Sequence, residues 1–301
     1  MTRNVEVGIA LQSPSDPAGD AQRFEALGYD YVACGEHVAF NVPIPNSFIS
    51  LAVAAGATTR IKLISTITLV PLYPAALLAK MGAALDVASK GRFHLGVGVG
   101  GEYAREFEAC GVPVKERGAR TNEALDIVTR LWTEPSVDFA GRFNSFERVS
   151  IEPKPVQTPH PPIWVSGRRD AAMRRAAKYG TGWLPYMYSP EMLATSMSTL
   201  AEMTDRPIRG GTFIWGCVNE DDATAKSMAA AVLGRVYVQD FSKLIDRYAF
   251  AGNPETVAAQ LGRYIDAGAD TIIVSFAAPN DHMAECERLF SAEVLPRLRS
   301  R

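Results

Sequence analysis

Phe93-His94-Leu95-Gly96-Val97-Gly98-Val99-Gly100-Gly101 reads as a short apolar strand running directly into a glycine-rich turn. It formally contains G-x-G-x-x-G behind a strand, as a dinucleotide-binding turn does. That fingerprint also requires an acid near the next strand end to hold a ribose hydroxyl. The next apolar strand ends instead at Val165-Ser166-Gly167, with no acid in place. A nicotinamide dehydrogenase therefore remains a minor alternative, to be supported by NADH binding at Gly96–Gly101. The turn reads better as the carboxyl end of one strand in a different parallel fold, where glycines allow close backbone approach.

Outward from this turn the same unit recurs: a β-branched run, a turn with Gly, Pro or Asn, then an amphipathic segment of helical length. The strand candidates are Val5–Leu11, Tyr31–Cys34, Ile61–Thr68, Phe93–Val97, Ile163–Val165, Trp183–Leu184, Thr212–Val218 and Thr271–Phe276. Helices are expected at Ala18–Leu27, Phe48–Ala57, Ala75–Ser89, Arg117–Trp132, Asp170–Tyr179, Pro190–Met203, Asp221–Tyr237 and Glu255–Ala267, with a last one near His282–Leu298. This alternation predicts a single α/β domain over residues 1–301, a (β/α)8 TIM barrel. The rhythm breaks at about 134–162, where a β-hairpin and a Pro-rich strap (Glu152–Pro162) are expected as an insertion. A second irregular piece, Phe241–Asn253, is expected to be a lid or an extra turn.

Composition narrows the class further. In 301 residues, 31 Lys+Arg stand against 33 Asp+Glu for a net charge of −2, and 47% are hydrophobic, which excludes a disordered chain and gives no basic footprint for nucleic acid. Cys34, Cys110, Cys217 and Cys286 lie far apart, without metal-ligand spacing, and read as thiols of a reducing compartment. The longest uncharged stretch, Leu63–Ala79, carries Ser65, Thr66, Thr68, Pro71 and Pro74 and reads as strand, turn and helix, not a membrane span. No signal segment is read in Met1–Leu11. The expectation is a cytoplasmic protein acting on a small molecule, with no metal, membrane or nucleic-acid partner.

Four constellations carry chemistry. Gly98, Val99, Gly100 and Gly101 form the turn described above. Ser166-Gly167-Arg168, where a strand runs into a helix N-terminus, offers a hydroxyl, free N–H groups and a guanidinium as a phosphate cradle. The plainer reading is a solvated basic helix face made by Arg168, Arg169, Arg174 and Arg175. Cys34-Gly35-Glu36-His37 presents a histidine that titrates near neutrality, with Glu36 to orient or charge it. Ser65 and Thr66, at the end of an apolar strand, offer hydroxyls to a polar ring edge, unless they are tied to neighbouring backbone. Phe40–Ser47, Tyr103, Trp183–Tyr188 and Phe241–Phe250 are the expected lining of a substrate pocket.

In order along nearly the whole chain, several segments resemble the bacterial luciferase-like superfamily: Glu36-His37, Ser89-Lys90-Gly91-Arg92-Phe93 through Gly100, Glu106-Phe107, Phe139-Ala140-Gly141-Arg142, Pro153-Lys154-Pro155, Gly182-Trp183-Leu184-Pro185 and Gly252-Asn253-Pro254-Glu255. The resemblance implies a (β/α)8 barrel, often homodimeric, that holds a flavin or the deazaflavin F420. It makes Glu36 and His37 the catalytic pair, with His37 as proton donor or acceptor. It implies a non-proline cis peptide near Ser65 and Thr66, and cofactor contacts at Gly98, Val99, Gly100, Gly101, Ser166, Gly167 and Arg168. Two branches follow: an F420-dependent oxidoreductase exchanging hydride with a small organic substrate, or an FMN monooxygenase fed reduced flavin by a separate reductase. The Gly-Arg-Phe strand, the Arg/Glu-bearing fourth helix and the Pro-Lys-Pro strap are closer to the F420 branch. Glu36 where many F420 members have Asp, and Val99 where some have Thr, are departures. A vestigial barrel without catalysis is a third outcome.

Overall fold

A computed structural model describes residues 5–300. Eight parallel strands close on themselves: β1 (Glu6–Ala10), β2 (Tyr31–Cys34), β3 (Lys62–Ser65), β4 (Phe93–Gly98), β5 (Ile163–Val165), β6 (Gly182–Trp183), β7 (Arg209–Val218) and β8 (Thr271–Phe276). Each pairs with its successor, and β8 returns to β1 through Thr271 opposite Glu6. The barrel predicted from the sequence is the observed fold. Around it lie α1 (Pro17–Ala26), α2 (Ser47–Ala57), α3 (Ala75–Ala88), α4 (Arg117–Thr133), α5 (Asp170–Tyr179), α6 (Pro190–Met203), α7 (Asp222–Tyr237) and α8 (Pro254–Asp266). Their starts are legible in the chain: Asp16, Asn46, Ser189, Asp221 and Asn253 each cap a helix through a side-chain oxygen, and Pro follows at Pro17, Pro190 and Pro254.

The interior of the barrel is a packed layer of Tyr31, Ala33, Ile64, Trp164, Leu184 and Ile273. Gly182 makes room for it, since a Cβ there would meet the Trp164 ring at 2.2 Å. The amino end is closed by charge. Glu6 pairs with Lys62 and Arg209, Arg209 also pairs with Asp270, and the Tyr31 hydroxyl donates to Glu6. Burial works against the Glu6 anion, but the hydrogen bonds from Lys62 and Arg209 outweigh it and hold the carboxyl at about 2. Just above, buried His94 accepts from the Trp164 indole at 3.2 Å. Desolvation, aided by the charges of Lys62 and Arg209, lowers it to about 3. The plugged end leaves the carboxyl mouth for function.

The insertion is an antiparallel hairpin, Val137–Ala140 with Ser145–Val149, followed by the strap. The hairpin folds back along α4, and its tip donates from Arg142 N and Phe143 N to Glu123 while Arg142 pairs with Glu116. The strap is anchored on buried Asp86, which accepts from Val156 N and Gln157 N. Of the two expectations for Phe241–Asn253, a lid or an extra turn, the structure shows a helical turn, Ile245–Tyr248, and after it a strand not expected from the sequence, Ala249–Gly252, that pairs outside β7. Phe250 there is fully buried against Phe276 and Phe290, because its apolar face completes the outer layer. Among the described residues no helix is long and apolar enough to cross a membrane.

Candidate active site at the carboxyl mouth of the barrel

His37 follows β2 at the carboxyl mouth, and the structure gives it a partner that lies 69 residues away. The Glu106 carboxylate, fully buried on a short helix (Ala104–Ala109) absent from the sequence reading, lies 3.1 and 3.2 Å from His37 Nδ1. It also accepts from Val38 N at 3.1 Å. With Nδ1 donating to a carboxylate, Nε2 is the ring nitrogen left for proton exchange with a ligand. Phe40 stacks on the imidazole at 4.0 Å, and residues 37–44 line a cavity of about 370 Å³.

Glu36, expected to orient His37, is engaged elsewhere. Its Oε2 accepts from Ser47 Oγ at 2.7 Å and Tyr73 Oη at 2.9 Å, and its Oε1 from Leu69 N at 2.8 Å. It ties the start of α2 to the segment after β3. Glu106 takes the orienting role, because β2 and the segment after β4 converge at the mouth. The signal was present as Glu106-Phe107, but sequence separation hid the contact.

The segment after β3 forms the floor. The strand breaks at Thr66–Ile67, whose peptide is cis, and resumes at Thr68–Leu69 beside β4. Ser65 Oγ bridges the break, donating to Gly96 O and accepting from Gly96 N, both at 2.9 Å. The Ser65 hydroxyl thus belongs to the sheet. Thr66 Oγ1, by contrast, is buried and has no hydrogen-bond partner among the described residues. Gly96 is obligatory, since a Cβ there would lie 1.8 Å from Ser65 O. The turn beyond it, past half-buried Val99, uses positive φ at Gly100 (59°) and Gly101 (104°). Bare Gly101 backbone faces Arg117, whose Nε is also buried and partnerless, as is Gln12 Nε2 just past β1.

Ser166 extends the β5 ladder by donating from N to Val97 O at 2.9 Å, Gly167 turns, and exposed Arg168 lies over the Tyr186 ring at 5.6 Å. α5 then begins without a side-chain cap. Desolvation raises the Glu102 carboxyl against the opposing pull of His37 and Arg168, so these three groups share the mouth. Phe40 meets Tyr103 and Tyr237 edge-on, both at 6.3 Å, and Tyr237 leans on Phe241. Trp183, expected in the pocket, is instead buried in the outer layer, where its indole donates to Ser196 Oγ.

With these groups gathered at the carboxyl mouth of one closed parallel sheet, the protein is a (β/α)8 barrel. Residues 12–247 match the family of luciferase-like monooxygenases, and the chain belongs to that family. An uncharacterized protein of Mycobacterium tuberculosis is 34% identical over 142 residues, 47% of this chain, and the match spans about half (48%) of that relative's length. The F420-dependent glucose-6-phosphate dehydrogenase of Amycolatopsis mediterranei is 25% identical, with 95% of each chain covered. The crystal structure of monooxygenase RslO1 from Streptomyces bottropensis superposes with a TM-score of 0.84 at 26% identity, covering 97% of this chain and 99% of that one.

Proposed function

We propose that this chain is an oxidoreductase that binds the deazaflavin F420 at the carboxyl mouth and acts by hydride exchange on a small organic substrate. The observation that carries the reading is His37, held at Nδ1 by buried Glu106 and lining a largely apolar cavity in which Phe40 stacks on its ring. Hydride transfer to a carbonyl carbon, or from an alcohol, needs one proton moved at the neighbouring oxygen. The site residues fit a polar ring. Thr66 Oγ1, Gln12 Nε2 and Arg117 Nε are buried polar atoms that lack partners among the described residues, and leaving them so costs about 1–3 kcal/mol each.

Bound there, F420 supplies hydride exchange at its C5 carbon. Thr66 and the backbone of Gly98, Val99, Gly100 and Gly101 contact the ring and its polyol. Ser65 holds that floor in position. Ser166, Gly167, Arg168 and Arg117 hold the phosphate. His37 Nε2 gives or takes the substrate proton, Glu106 fixes the imidazole, and Glu36 fixes the loop that carries it. Phe40, Tyr103 and Tyr237 exclude water and select apolar or planar substrates.

Titration of the purified protein with F420 and, separately, FMN tests the reading by fluorescence polarisation. Micromolar F420 binding with weak FMN binding is the expected result, and the reverse preference overturns it. The second reading is an FMN-dependent monooxygenase served by a separate reductase, and the likeness to the monooxygenase RslO1 supports its monooxygenase part. We also propose a single catalytic domain that pairs with a second copy through the uncharged outer face of α2, where Ile49 is 67% and Val53 43% exposed.

A further inference from the structure

Trp215 stands apart from the other tryptophans. Trp132, Trp164 and Trp183 are buried, and each indole N–H donates within the fold, to Ala79 O at 2.8 Å, His94 Nδ1 at 3.2 Å and Ser196 Oγ at 3.2 Å. Trp215 on β7 is half-buried, and its Nε1 is a buried donor with no partner among the described residues. The Tyr237 hydroxyl lies beside it without the geometry of a hydrogen bond. Phe213 packs on the inner layer of the barrel, so Trp215, two residues further along the strand, faces the interior nearer the mouth. Gln12 repeats the pattern just past β1. A Cβ on Gly8 would meet Ile273 and Tyr31 of the inner layer at 2.5 and 2.6 Å, so Ala10 and Gln12 share that inward face. Gln12 Nε2 is likewise buried and partnerless among the described residues. Its backbone is fixed, because Asp20 accepts from Gln12 N and Ser13 N, both at 2.7 Å. Ser275, opposite Trp215 in the sheet register, stands on β8 between them.

These donors occupy the arc of the mouth that the other site residues leave. His37, Thr66, the Gly98–Gly101 turn and Arg168 come from the ends of β2, β3, β4 and β5, whereas Gln12, Ser275 and Trp215 belong to β1, β8 and β7. The two arcs differ in charge. Arg117 and Arg168 attend the first; on the second, the segments 11–16, 219–222 and 277–282 contain no Lys or Arg and carry Asp16, Glu220, Asp221, Asp222 and Asp281. From His37 the ring contacts pass through Phe40 to Tyr237 and so to Trp215, which sets the indole apart from the proton exchanged at His37 Nε2. A buried donor left unpaired is costly, and neutral donors in a field of carboxylates suit a neutral acceptor better than an anion. We propose that Trp215 Nε1 and Gln12 Nε2 bind a second oxygen of the substrate, a neutral carbonyl-type acceptor remote from the reacting carbon, and that this arc rejects substrates with an anionic group there. The proposal rests on the oxidoreductase reading for the place of the reacting carbon, and adds the chemistry of the substrate's other end.

The test uses 1,4-cyclohexanedione, cyclohexanone and 4-oxocyclohexanecarboxylate, which share one ketone-bearing ring and differ at its far end, added to the protein with and without F420. The readout is the proton–nitrogen-15 spectrum of the indoles, with the Trp215 signal assigned by its loss in Trp215→Phe. The dione is expected to move the Trp215 N–H signal and to bind tighter than cyclohexanone by about 2- to 12-fold, the range for one neutral hydrogen bond after exchange with water. Gln12→Leu and Trp215→Phe should each narrow that gap by weakening the dione, with unaltered melting temperatures showing that the variants fold; the wild-type series alone decides if one does not. The carboxylate should bind no tighter than cyclohexanone. An unmoved Trp215 signal at saturating dione overturns the proposal, and so does a carboxylate that binds as tightly as the dione. Because the readout needs no cofactor, that failure leaves the F420 reading intact, whereas binding of FMN alone would strike that reading and leave the oxygen site standing.

Discussion

Glu106→Gln isolates what the buried carboxylate does for His37. In the native site two N–H donors, Val38 N and His37 Nδ1, converge on one carboxylate at 3.1–3.2 Å. Glutamine keeps the shape but replaces one acceptor oxygen with an NH2 group. If that NH2 faces the ring, His37 must present Nδ1 as an acceptor and carry its proton on Nε2. If it faces Val38, a buried N–H loses its partner. Hydrogen bonds to charged groups contribute about 1.5–3 kcal/mol, so a stability loss of about 2 kcal/mol is expected in urea titrations. Positioned acid–base groups contribute about 10²- to 10⁴-fold, so turnover should fall by at least about 10²-fold with a substrate from an enone and alcohol screen, while cofactor affinity changes by less than about 2-fold. Nitrogen-15 NMR of labelled histidine reads the tautomer directly and needs no substrate. An unchanged imidazole pattern with unchanged turnover would refute the argument, and parallel loss of turnover and cofactor affinity would make Glu106 a structural acid only.

Acid should destabilise the fold before it reaches the bulk of the carboxylates. Because the His94 pKa is lowered from 6.5 to about 3, the unfolded chain takes a proton that the folded chain refuses, so stability falls as pH drops below 6.5, approaching about 1.4 kcal/mol per unit. The lowered Glu6 pKa adds a further loss between 4.5 and about 2, and His94→Gln should flatten the upper part of the profile in urea midpoints at pH 7 and 5. Gly96→Ala drives a Cβ into Ser65 O and should cost about 3 kcal/mol or prevent folding, whereas Gly56→Ala, with open space around it in α2, should stabilise by about 0.5–1 kcal/mol; similar melting temperatures for the two would contradict the packing argument. Arg168→Ala should weaken cofactor with a phosphate more than an analogue without it, and equal weakening would remove the cradle. Ile49→Lys with Val53→Lys should leave a monomer in sedimentation, unless the α2 face is not the contact.

The sequence by itself determined the barrel. Alternating β-branched runs and amphipathic segments are local patterns, and each of the eight strands from Glu6 to Phe276 was visible because burial and turn chemistry are written residue by residue. It also marked His37, the glycine turn and the Ser166-Gly167-Arg168 segment, since strand ends in such a fold converge on one face. Where the pattern is not local, the reading stayed open: Phe241–Asn253 was a lid or an extra turn, and only the fold makes Ala249–Gly252 a strand that puts Phe250 in the outer layer. Only the tertiary structure decided which acid serves His37. Glu36 is adjacent in the chain but is turned toward Ser47, Leu69 and Tyr73, while Glu106 arrives from the far side of the mouth. It likewise committed Ser65 to the sheet and left Thr66 free, a division of two neighbouring hydroxyls set by the break in β3. Hydrogen-bond partners are chosen by distance and desolvation in three dimensions, and neither is encoded by spacing along the chain.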